Sequence, residues 1–317
     1  MENIKKFLSA FSRFAGTWTG TIIIVLFLIF FVAQSFVIPS GSMKRTQLIG
    51  DFLFAKKFSY GIPIPHLPWL EIPLLPDFNN NGHLIEGPRP KREDIVIFRY
   101  PKNPKVHYVK RCVAVGGDEL LYSDKKLMIH FHEGDEYIKK TYRTKKIISM
   151  YDKLWVVNPY MDKYPGIQYK PEGPTGFDYL TMSYNYKKEI DMSVRRIVDA
   201  QGEESYLFYK KVEADHFYMI GDNRDNSNDS RFWGSVPYKL IVGKPWLIYM
   251  SIEFRSYDQV MNGEGGGKDH DKLTRICPNI DIASKACEVL WDKQQYTIRW
   301  SRVGRRINSI ELEAPTE

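Results

Sequence analysis

The hydrophobic pattern of the chain changes near residue 38. From about Thr17 to Ile38 almost every residue is apolar, with an unbroken run over 22–32 at the centre. A helix needs roughly 20 such residues to cross the hydrocarbon core of a bilayer. Beyond this segment, apolar residues alternate with polar ones or form short clusters, as in β-strands separated by turns. The pattern predicts a mainly β protein in which an N-terminal single transmembrane helix precedes an antiparallel β domain.

The flanks of the apolar segment indicate its orientation. Residues 1–16 are polar and carry three basic residues against one acidic residue, which favours a cytoplasmic N-terminus by the positive-inside rule. A cleaved secretory signal is the alternative, because Ala33-Gln34-Ser35 resembles a small-x-small processing site. The apolar run exceeds a usual signal core in length, so an uncleaved anchor over residues 17–37 is favoured. Either interpretation places the rest of the chain outside the cytoplasm.

Strands are predicted where β-branched and aromatic residues cluster. These clusters lie at residues 51–55, 94–100, 108–115, 217–220, 246–250 and 296–300. Repeated prolines over residues 61–91 preclude a regular helix or a central strand there. Because this proline-rich loop is also apolar, two interpretations stay open: it packs on its own domain, or it dips into the lipid interface.

The segments group into the following predicted organisation. A cytoplasmic tail (1–16) and the anchor (17–37) precede a β core built from residues 38–118, 206–255 and 294–309, interrupted by an inserted smaller β subdomain (119–205) and a second insertion (256–293), and followed by a C-terminal tail (310–317). The second insertion contains Cys277 and Cys287, which either pair in an oxidising compartment or remain free thiols.

Charge and composition narrow the functional classes. The chain has 317 residues and a formal net charge of +7 that is spread along its length. Such an excess suits an anionic lipid surface or nucleic acid. No zinc-finger spacing or recognition-helix pattern is present in the sequence, so no nucleic-acid partner is predicted.

Lys110 is the residue whose position most suggests chemistry. A serine hydroxyl needs a base to become a nucleophile, and lysine can serve if desolvation keeps it neutral. The sequence has no Gly-x-Ser-x-Gly motif. Lys110 lies within an apolar strand, where alternation places it on the face of Tyr108 and Cys112 and places Arg111 on the other. The alternative is an edge strand with both charges in solvent.

Three stretches together identify a family. Pro39-Ser40-Gly41-Ser42-Met43, then Tyr108-Val109-Lys110-Arg111, then residues 221–231 (GDNRDNSNDSR) follow a membrane segment in this order, and the set resembles the type I signal peptidases. The resemblance does not cover 119–205 or 256–293. The sequence departs from the family at Arg45, where many relatives have proline, and at residues 114–118.

The resemblance implies a role for each matching residue. Ser42 is the nucleophile, Lys110 is the general base, and Ser227 orients the lysine amine. Ser40 and the main-chain N–H of Ser42 form the oxyanion hole. Arg111 pairs with Asp222, and Asp229 pairs with Arg231, as structural salt bridges. The substrate pocket for small residues at positions −1 and −3 consists of Ile38, Pro39, Met43, Tyr108 and Val109. No metal, nucleotide or other cofactor is expected.

The resemblance also implies an activity and a location. The expected enzyme is a membrane-bound serine endopeptidase that removes signal peptides from exported preproteins through an acyl-enzyme. Its expected place is the bacterial inner membrane, with the catalytic domain on the outer, periplasmic face. Exported preproteins, membrane phospholipid and a nearby protein export translocon are the expected partners.

Four alternatives remain at this point. Residues 222–229 alternate aspartate with asparagine and serine like a calcium loop, but lack its glycine and terminal glutamate. His130 and His132 form a His-x-His pair with no third ligand evident. A penicillin-binding-type acylase uses Ser-x-x-Lys on a helix, for which Ser123 to Lys126 is a candidate. A non-enzymatic membrane-anchored scaffold leaves Ser42 and Lys110 unexplained.

Overall fold

A computed structural model of the chain describes residues 2–27, 33–67, 70–142, 146–198, 204–254 and 296–315. The insertion at 256–293, including Cys277 and Cys287, lies outside the described residues, and so does the centre of the predicted anchor at 28–32. The helices are α1 (Glu2–Ala15), α2 (Trp18–Phe27), α3 (Asp135–Thr141), α4 (Gly176–Asn185), α5 (Ser230–Trp233) and α6 (Ile307–Ile310), with single 3-10 turns at Gly41–Met43 and Tyr238–Leu240.

The strands are named in chain order. They are β1 (Ala33–Val37), β2 (Asp51–Lys56), β3 (Gly61–Pro63), β4 (His83–Glu86), β5 (Ile95–Tyr100), β6 (Asn103–Val115), β7 (Glu119–Ser123), β8 (Lys126–His130), β9 (Ile147–Met150), β10 (Lys153–Val157), β11 (Ser193–Val198), β12 (Glu204–Lys211), β13 (His216–Ile220), β14 (Val236–Pro237), β15 (Ile241–Phe254) and β16 (Tyr296–Ile298).

All strand pairs in the described part of the chain are antiparallel and form three sheets. The large sheet has the order β1-β2-β15-β5-β6-β13-β14, with β16 joined to β15. A second sheet has the order β11-β12-β7-β8-β10-β9, and β3 and β4 form a separate pair. The mainly β, antiparallel prediction is therefore confirmed. Residues 119–211 supply the whole second sheet and also helices α3 and α4, which the hydrophobic pattern did not predict.

The N-terminal region differs from the predicted anchor. No described helix combines the length and the apolar character that a bilayer crossing requires. The last five residues of the predicted anchor form β1, which pairs with β2 from Ala33–Lys56 to Val37–Phe52. An apolar strand and the end of an apolar helix can have the same composition. Residues 33–37 form a strand here because their main chain pairs with β2. The large sheet thus begins five residues before the predicted boundary at 38.

Strand β6, which contains Lys110, passes from solvent into the core. Its first residues are exposed, whereas Cys112, Val113 and Ala114 are fully buried. One side of β6 pairs with β5 between residues 103 and 111, whereas on the other side the described part of β13 pairs with residues 111–115. The other edge of residues 103–110 is therefore free of strand partners within the described chain.

The C-terminal segment is part of the core and not a free tail. Arg302 is buried and binds Asp51, at 2.6 Å for its shortest contact. Ile307 and Ile310 of α6 are buried in the same apolar cluster as Ile38 and Met43. The predicted tail at 310–317 thus begins inside a packed element, because Ile310 and Glu311 belong to the turn that covers β15 and β6.

The proline-rich loop combines features of both open interpretations. Arg99 of β5 forms an ion pair with Glu71, which attaches the loop to the domain. Large apolar side chains nevertheless remain exposed on it, including Leu70, Ile72 and Phe78. The loop is therefore packed at one point and apolar towards solvent elsewhere.

Candidate active site

Ser42 and Lys110 are brought together by the turn that follows β1 and by the middle of β6. The 3-10 turn Gly41–Met43 projects Ser42 towards β6, where Lys110 lies. Ser42 Oγ and Lys110 Nζ are 2.7 Å apart, a hydrogen-bond distance. Lys110 is only 4% exposed and Arg111 is fully buried, so the solvated edge-strand alternative is wrong.

The surroundings of Lys110 favour its neutral form. Burial lowers the pKa of Lys110 to about 8, although the negative charges of Asp229 and Asp222 raise it in part. The amine also donates to the carbonyl of Val109 at 3.0 Å, and the Tyr108 ring lies 5.1 Å away. A lysine with this pKa has a substantial neutral population at weakly alkaline pH, as a general base requires.

Ser40 lies beside Ser42 at the edge of the site. The two hydroxyl oxygens are 3.5 Å apart, at the limit for a hydrogen bond. Ser40 is exposed and precedes the 3-10 turn in an extended conformation, with φ of −134° and ψ of 156°. Its position allows its hydroxyl to donate to an oxyanion formed at Ser42, and that role stays a prediction.

Ser227 does not form the predicted hydrogen bond with Lys110 in this structure. Its buried hydroxyl interacts with Asp229 and contributes to the lowered pKa of that carboxylate. The lysine amine is instead bound to Ser42 Oγ and to the Val109 carbonyl. Ser227 still packs near Ser42, because a Cβ built on Gly221 would lie 2.4 Å from Ser227 Oγ and 2.5 Å from the Ser42 carbonyl oxygen.

Arg111 and Asp222 form a buried, bidentate ion pair behind the lysine. Arg111 donates from Nε and Nη2 to the two Asp222 oxygens, both at 2.8 Å. Burial raises the pKa of Asp222, but Arg111 more than offsets this and holds that pKa below its usual value. Arg111 also donates to the Glu93 carbonyl and to Glu311 Oε2, at 2.8 and 2.9 Å.

Asp229 and Arg231 form the second buried pair. Arg231 donates from Nε and Nη2 to the two Asp229 oxygens at 2.8 and 2.9 Å. Asp229 Oδ2 also accepts the main-chain N–H of Gly221 at 3.2 Å. Burial raises the pKa of Asp229, and Arg231 outweighs burial and lowers it. The Arg111–Asp222 pair holds the start of the 221–231 loop against β6, and Arg231 holds its end against the second sheet by donating to the Tyr122 hydroxyl of β7 at 3.0 Å.

Asn223 links this loop to the Gly41–Met43 turn, and the sequence did not predict this contact. Its main-chain N–H donates to the Ser42 carbonyl and its side-chain Nδ2 donates to the Gly41 carbonyl, both at 3.1 Å. Asn223 thereby holds the carbonyl groups of both Gly41 and Ser42. The asparagine-rich sequence of the loop was the only signal, and it does not reveal which amide faces the turn.

A cleft of about 420 Å³ opens over Ser42 and Lys110. All five residues predicted for the substrate pocket line it: Ile38, Pro39, Met43, Tyr108 and Val109. Residues that were not predicted line it too: Phe36, Val37, Val106, His107, Asn226 and Asn228. Phe36 and Val37 are not expected in the cleft from the sequence, because the apolar pattern places them in the anchor.

The walls of the cleft are two strand edges. Phe36 and Val37 belong to β1, and Val106 to Lys110 belong to β6. Among the described residues, β1 pairs only with β2, and this part of β6 has no strand partner on one side. Free main-chain N–H and C=O groups on such edges can bind an added extended strand. The arrangement is therefore suited to an extended polypeptide.

The described part of the chain gives no support to a calcium loop. The carboxylates of Asp222 and Asp229 are engaged by arginines. Asp225 accepts the main-chain N–H groups of Lys170 and Gly176, at 2.7 and 2.9 Å. The three carboxylates thus face different partners instead of one ion.

His130 and His132 do not face a common metal position either. His130 bonds the Leu154 carbonyl at 2.9 Å. His132 lies with Asp118 and Glu133 in a cluster of metal-ligating residue types, and the guanidinium of Arg92 contacts all three. The positive charge of Arg92 thus lies against all three groups, as the charge of a bound cation would.

Ser123 and Lys126 do not have the geometry of a helical Ser-x-x-Lys motif. Ser123 ends β7, Lys126 begins β8, and the two residues pair across the hairpin. The penicillin-binding-type alternative therefore loses its candidate residues.

Comparisons with known proteins agree on one group. Residues 12–250 match a family model described as signal peptidase, peptidase S26. A signal peptidase I of Helicobacter pylori strain J99 is 43% identical over 309 residues, covering 96% of this chain and 96% of the relative. A signal peptidase I of Pseudomonas fluorescens is 34% identical over 250 residues, covering 75% of this chain and 72% of the relative.

A crystal structure of a signal peptidase I from Enterococcus faecalis is 21% identical and covers 50% of this chain and 97% of its own chain. Its TM-score of 0.27 is too low to support a comparison of architecture.

Proposed function

The chain belongs to the signal peptidase family, peptidase S26, and from this premise we propose that it is a serine endopeptidase that cleaves signal peptides from exported preproteins with a Ser42–Lys110 dyad. One observation supports the proposal above all others: the hydroxyl of Ser42 lies 2.7 Å from the amine of a buried lysine whose pKa is lowered to about 8. A nucleophile, and a base able to deprotonate it, are thus in contact.

The proposed acylation step transfers one proton and forms one ester. Neutral Lys110 accepts the Ser42 proton as Oγ attacks the carbonyl carbon before the scissile bond. The tetrahedral oxyanion accepts hydrogen bonds from the Ser42 N–H and the Ser40 hydroxyl, and one such donor is typically worth about 3–4 kcal/mol. The intermediate collapses as the Lys110 ammonium protonates the departing amine, and the mature protein leaves.

Deacylation repeats the chemistry with water. Lys110, neutral again, accepts a proton from a water molecule that attacks the ester on Ser42. The same oxyanion donors stabilise the second tetrahedral intermediate. Collapse releases the signal peptide as a carboxylic acid, and the lysine proton returns to Ser42 Oγ.

The cleft supports the proposed cleavage-site preference. A substrate strand between β1 and β6 places alternate side chains against the same wall. Residues −1 and −3 therefore share the apolar surface formed by Ile38, Met43 and Val109. Such a shallow wall accepts small side chains and rejects large ones by overlap. We include cleavage after small residues at both positions in the proposal.

The proposed location is the outer face of the bacterial inner membrane, with the N-terminus cytoplasmic. The apolar sequence before β1 and the net charge of +7 support association with phospholipid near the protein export translocon. Carbonate extraction of membranes, followed by protease treatment of spheroplasts, tests this. The protein should stay in the membrane fraction while a C-terminal tag is digested; release by carbonate would contradict anchoring.

Activity is tested with purified protein, in detergent, on a preprotein that has a small-x-small site. Ser42→Ala and Lys110→Met should each lower the cleavage rate about a thousandfold or more while leaving the fold intact. Matched controls are Ser35→Ala on exposed β1 and Lys105→Met on the exposed start of β6, which should retain activity. Substantial cleavage by Lys110→Met would refute the dyad, and an inert wild type would favour the scaffold alternative.

A further inference from the structure

The catalytic cleft continues past Asn226 and Asn228 into a second depression. This depression has a volume of about 260 Å³, and both asparagines line it as well as the cleft. Its other walls are Tyr179 of α4, Phe232 of α5, Gly176, Asp225 and Ser227. One surface groove therefore runs from the two strand edges, past Ser42, to a helix that belongs with the second sheet.

Helix α4 is held rigidly against the 221–231 loop. Asp225 accepts the main-chain N–H of Gly176 at the start of α4. Thr175 caps the helix in a reciprocal arrangement with Asp178. A Cβ built on Gly176 would lie 2.8 Å from Arg231 Nη1, so the helix start touches the buried ion pair. Tyr179, one turn further on, is placed by the same contacts that place Ser227.

The positions of Val106 and Lys110 in the cleft indicate the direction in which a bound substrate runs along the groove. Val106 precedes Lys110 by four residues on β6, so the Phe36 and Val106 end of the cleft lies about 13 Å from the lysine. Ser227, which lies between Asn226 and Asn228 in the sequence, is close to the Ser42 carbonyl, so we place the two asparagines at the Ser42 end of the cleft. If the signal peptide lies between β1 and β6, the chain beyond the scissile bond leaves over the two asparagines.

The second depression suits part of a polymer better than a small molecule. Pockets that enclose small ligands usually measure about 300–1,000 Å³, so this one accommodates a side chain of a longer molecule. Exposed side-chain amides of Asn226 and Asn228 can hydrogen-bond a passing peptide backbone. The rings of Tyr179 and Phe232 offer apolar faces to an uncharged or aromatic side chain.

We propose that Tyr179 and Phe232 form a binding site for the first residues of the mature protein, on the amine side of the scissile bond. The inserted region thus takes part in substrate recognition through α4. This inference rests on the proposed function, since it assumes that an extended preprotein occupies the cleft. It assigns Tyr179 a role in specificity and no role in the chemical steps.

Two peptides with identical signal-peptide ends test the proposal on the full-length protein in detergent. One ends at the first residue after the cleavage site; the other continues for about five residues, with a phenylalanine among them, long enough to reach roughly 17 Å. Wild type should cleave the longer peptide with a kcat/KM about three- to tenfold higher, a factor expected for one aromatic contact. Tyr179→Ala should remove this length preference and leave cleavage of the short peptide unchanged.

Tyr186→Ala is the matched control, since Tyr186 follows the same helix, is 73% exposed and does not line the depression. It should keep the length preference, and Tyr179→Phe should keep most of it. A length preference that survives Tyr179→Ala overturns the proposed site, as does an equal loss on both peptides. Failure of wild type to cleave either peptide is a different result, because it overturns the proposed function itself.

Discussion

The Thr46 hydroxyl donates to Asp222 Oδ2 at 2.6 Å, and this bond ties the segment that carries Ser42 to the loop that carries Ser227. The same oxygen accepts Nη2 of Arg111 at 2.8 Å, from the residue next to Lys110. Three parts of the chain that supply the site thus meet at one buried carboxylate. The positions of Ser42 and of Lys110 therefore depend on a common support.

Replacing Thr46 by valine should weaken this support without creating a large cavity. A hydrogen bond to a charged group contributes about 1.5–3 kcal/mol, so Thr46→Val should lower the free energy of unfolding by about that amount. The cleavage rate should fall as well, because the turn after Ser42 loses one anchor. Urea unfolding in detergent measures the first effect. Thr141→Val, at the exposed end of α3, is the control and should change neither quantity.

Cleavage should increase with pH around the lowered pKa of Lys110. Below about 8 the amine is mostly protonated and cannot accept the Ser42 proton; above it the neutral base predominates. A plot of kcat/KM against pH should therefore rise through a pKa near 8, and Lys105→Met should give the same curve. His107 also lines the cleft, but burial lowers its pKa to about 4. A rise centred near 6.5 would argue against Lys110 as the base.

Gly221 and Gly41 should respond differently to substitution by alanine. A Cβ on Gly221 meets Ser227 Oγ and the Ser42 carbonyl at 2.4 and 2.5 Å, whereas a Cβ on Gly41 meets nothing closer than 3.9 Å. Gly221→Ala should cost about 1–3 kcal/mol of stability by overpacking and should reduce cleavage sharply, since the Ser42 main chain must shift. Gly41→Ala should unfold at nearly the wild-type denaturant concentration. Equal stability of the two variants would contradict the close approach at Gly221.

Glu311 should make the stability of the protein depend on pH. Burial raises the pKa of Glu311 above its usual value, although Arg111 opposes this. The folded state therefore binds the proton more tightly than the unfolded state does. This contribution to stability is present below the unfolded pKa, near 4.3, and is lost as pH rises through the raised folded pKa.

Glu311→Gln should remove this dependence while its side-chain oxygen still accepts from Arg111. The free energy of unfolding of the variant, relative to wild type, should increase as pH rises from about 4.3 towards neutrality. Glu313→Gln, whose carboxylate is half exposed and paired with Arg305, is the control. A variant that instead becomes relatively less stable over this range would show that the charged pair with Arg111 outweighs the burial of Glu311.

The sequence alone determined the features that depend on short stretches of the chain. Clusters of β-branched and aromatic residues predicted β2, β5, β6, β13 and β15, because strand preference is read over a few neighbouring residues. The three motif stretches identified the family and singled out Ser42 and Lys110. The alternation along β6 separated Lys110 from Arg111, since side chains of a strand point to opposite faces.

Only the tertiary structure decided whether those residues meet and what surrounds them. Lys110 and Ser42 are 68 positions apart, and Glu311 reaches Arg111 across 200 positions. No local pattern records such contacts. The sequence of β1 resembles the end of an apolar helix, and its pairing with β2 distinguishes the two. The burial that lowers the pKa of Lys110 comes from packing by distant elements, so the lysine can be read from the sequence but its lowered pKa arises only in the fold.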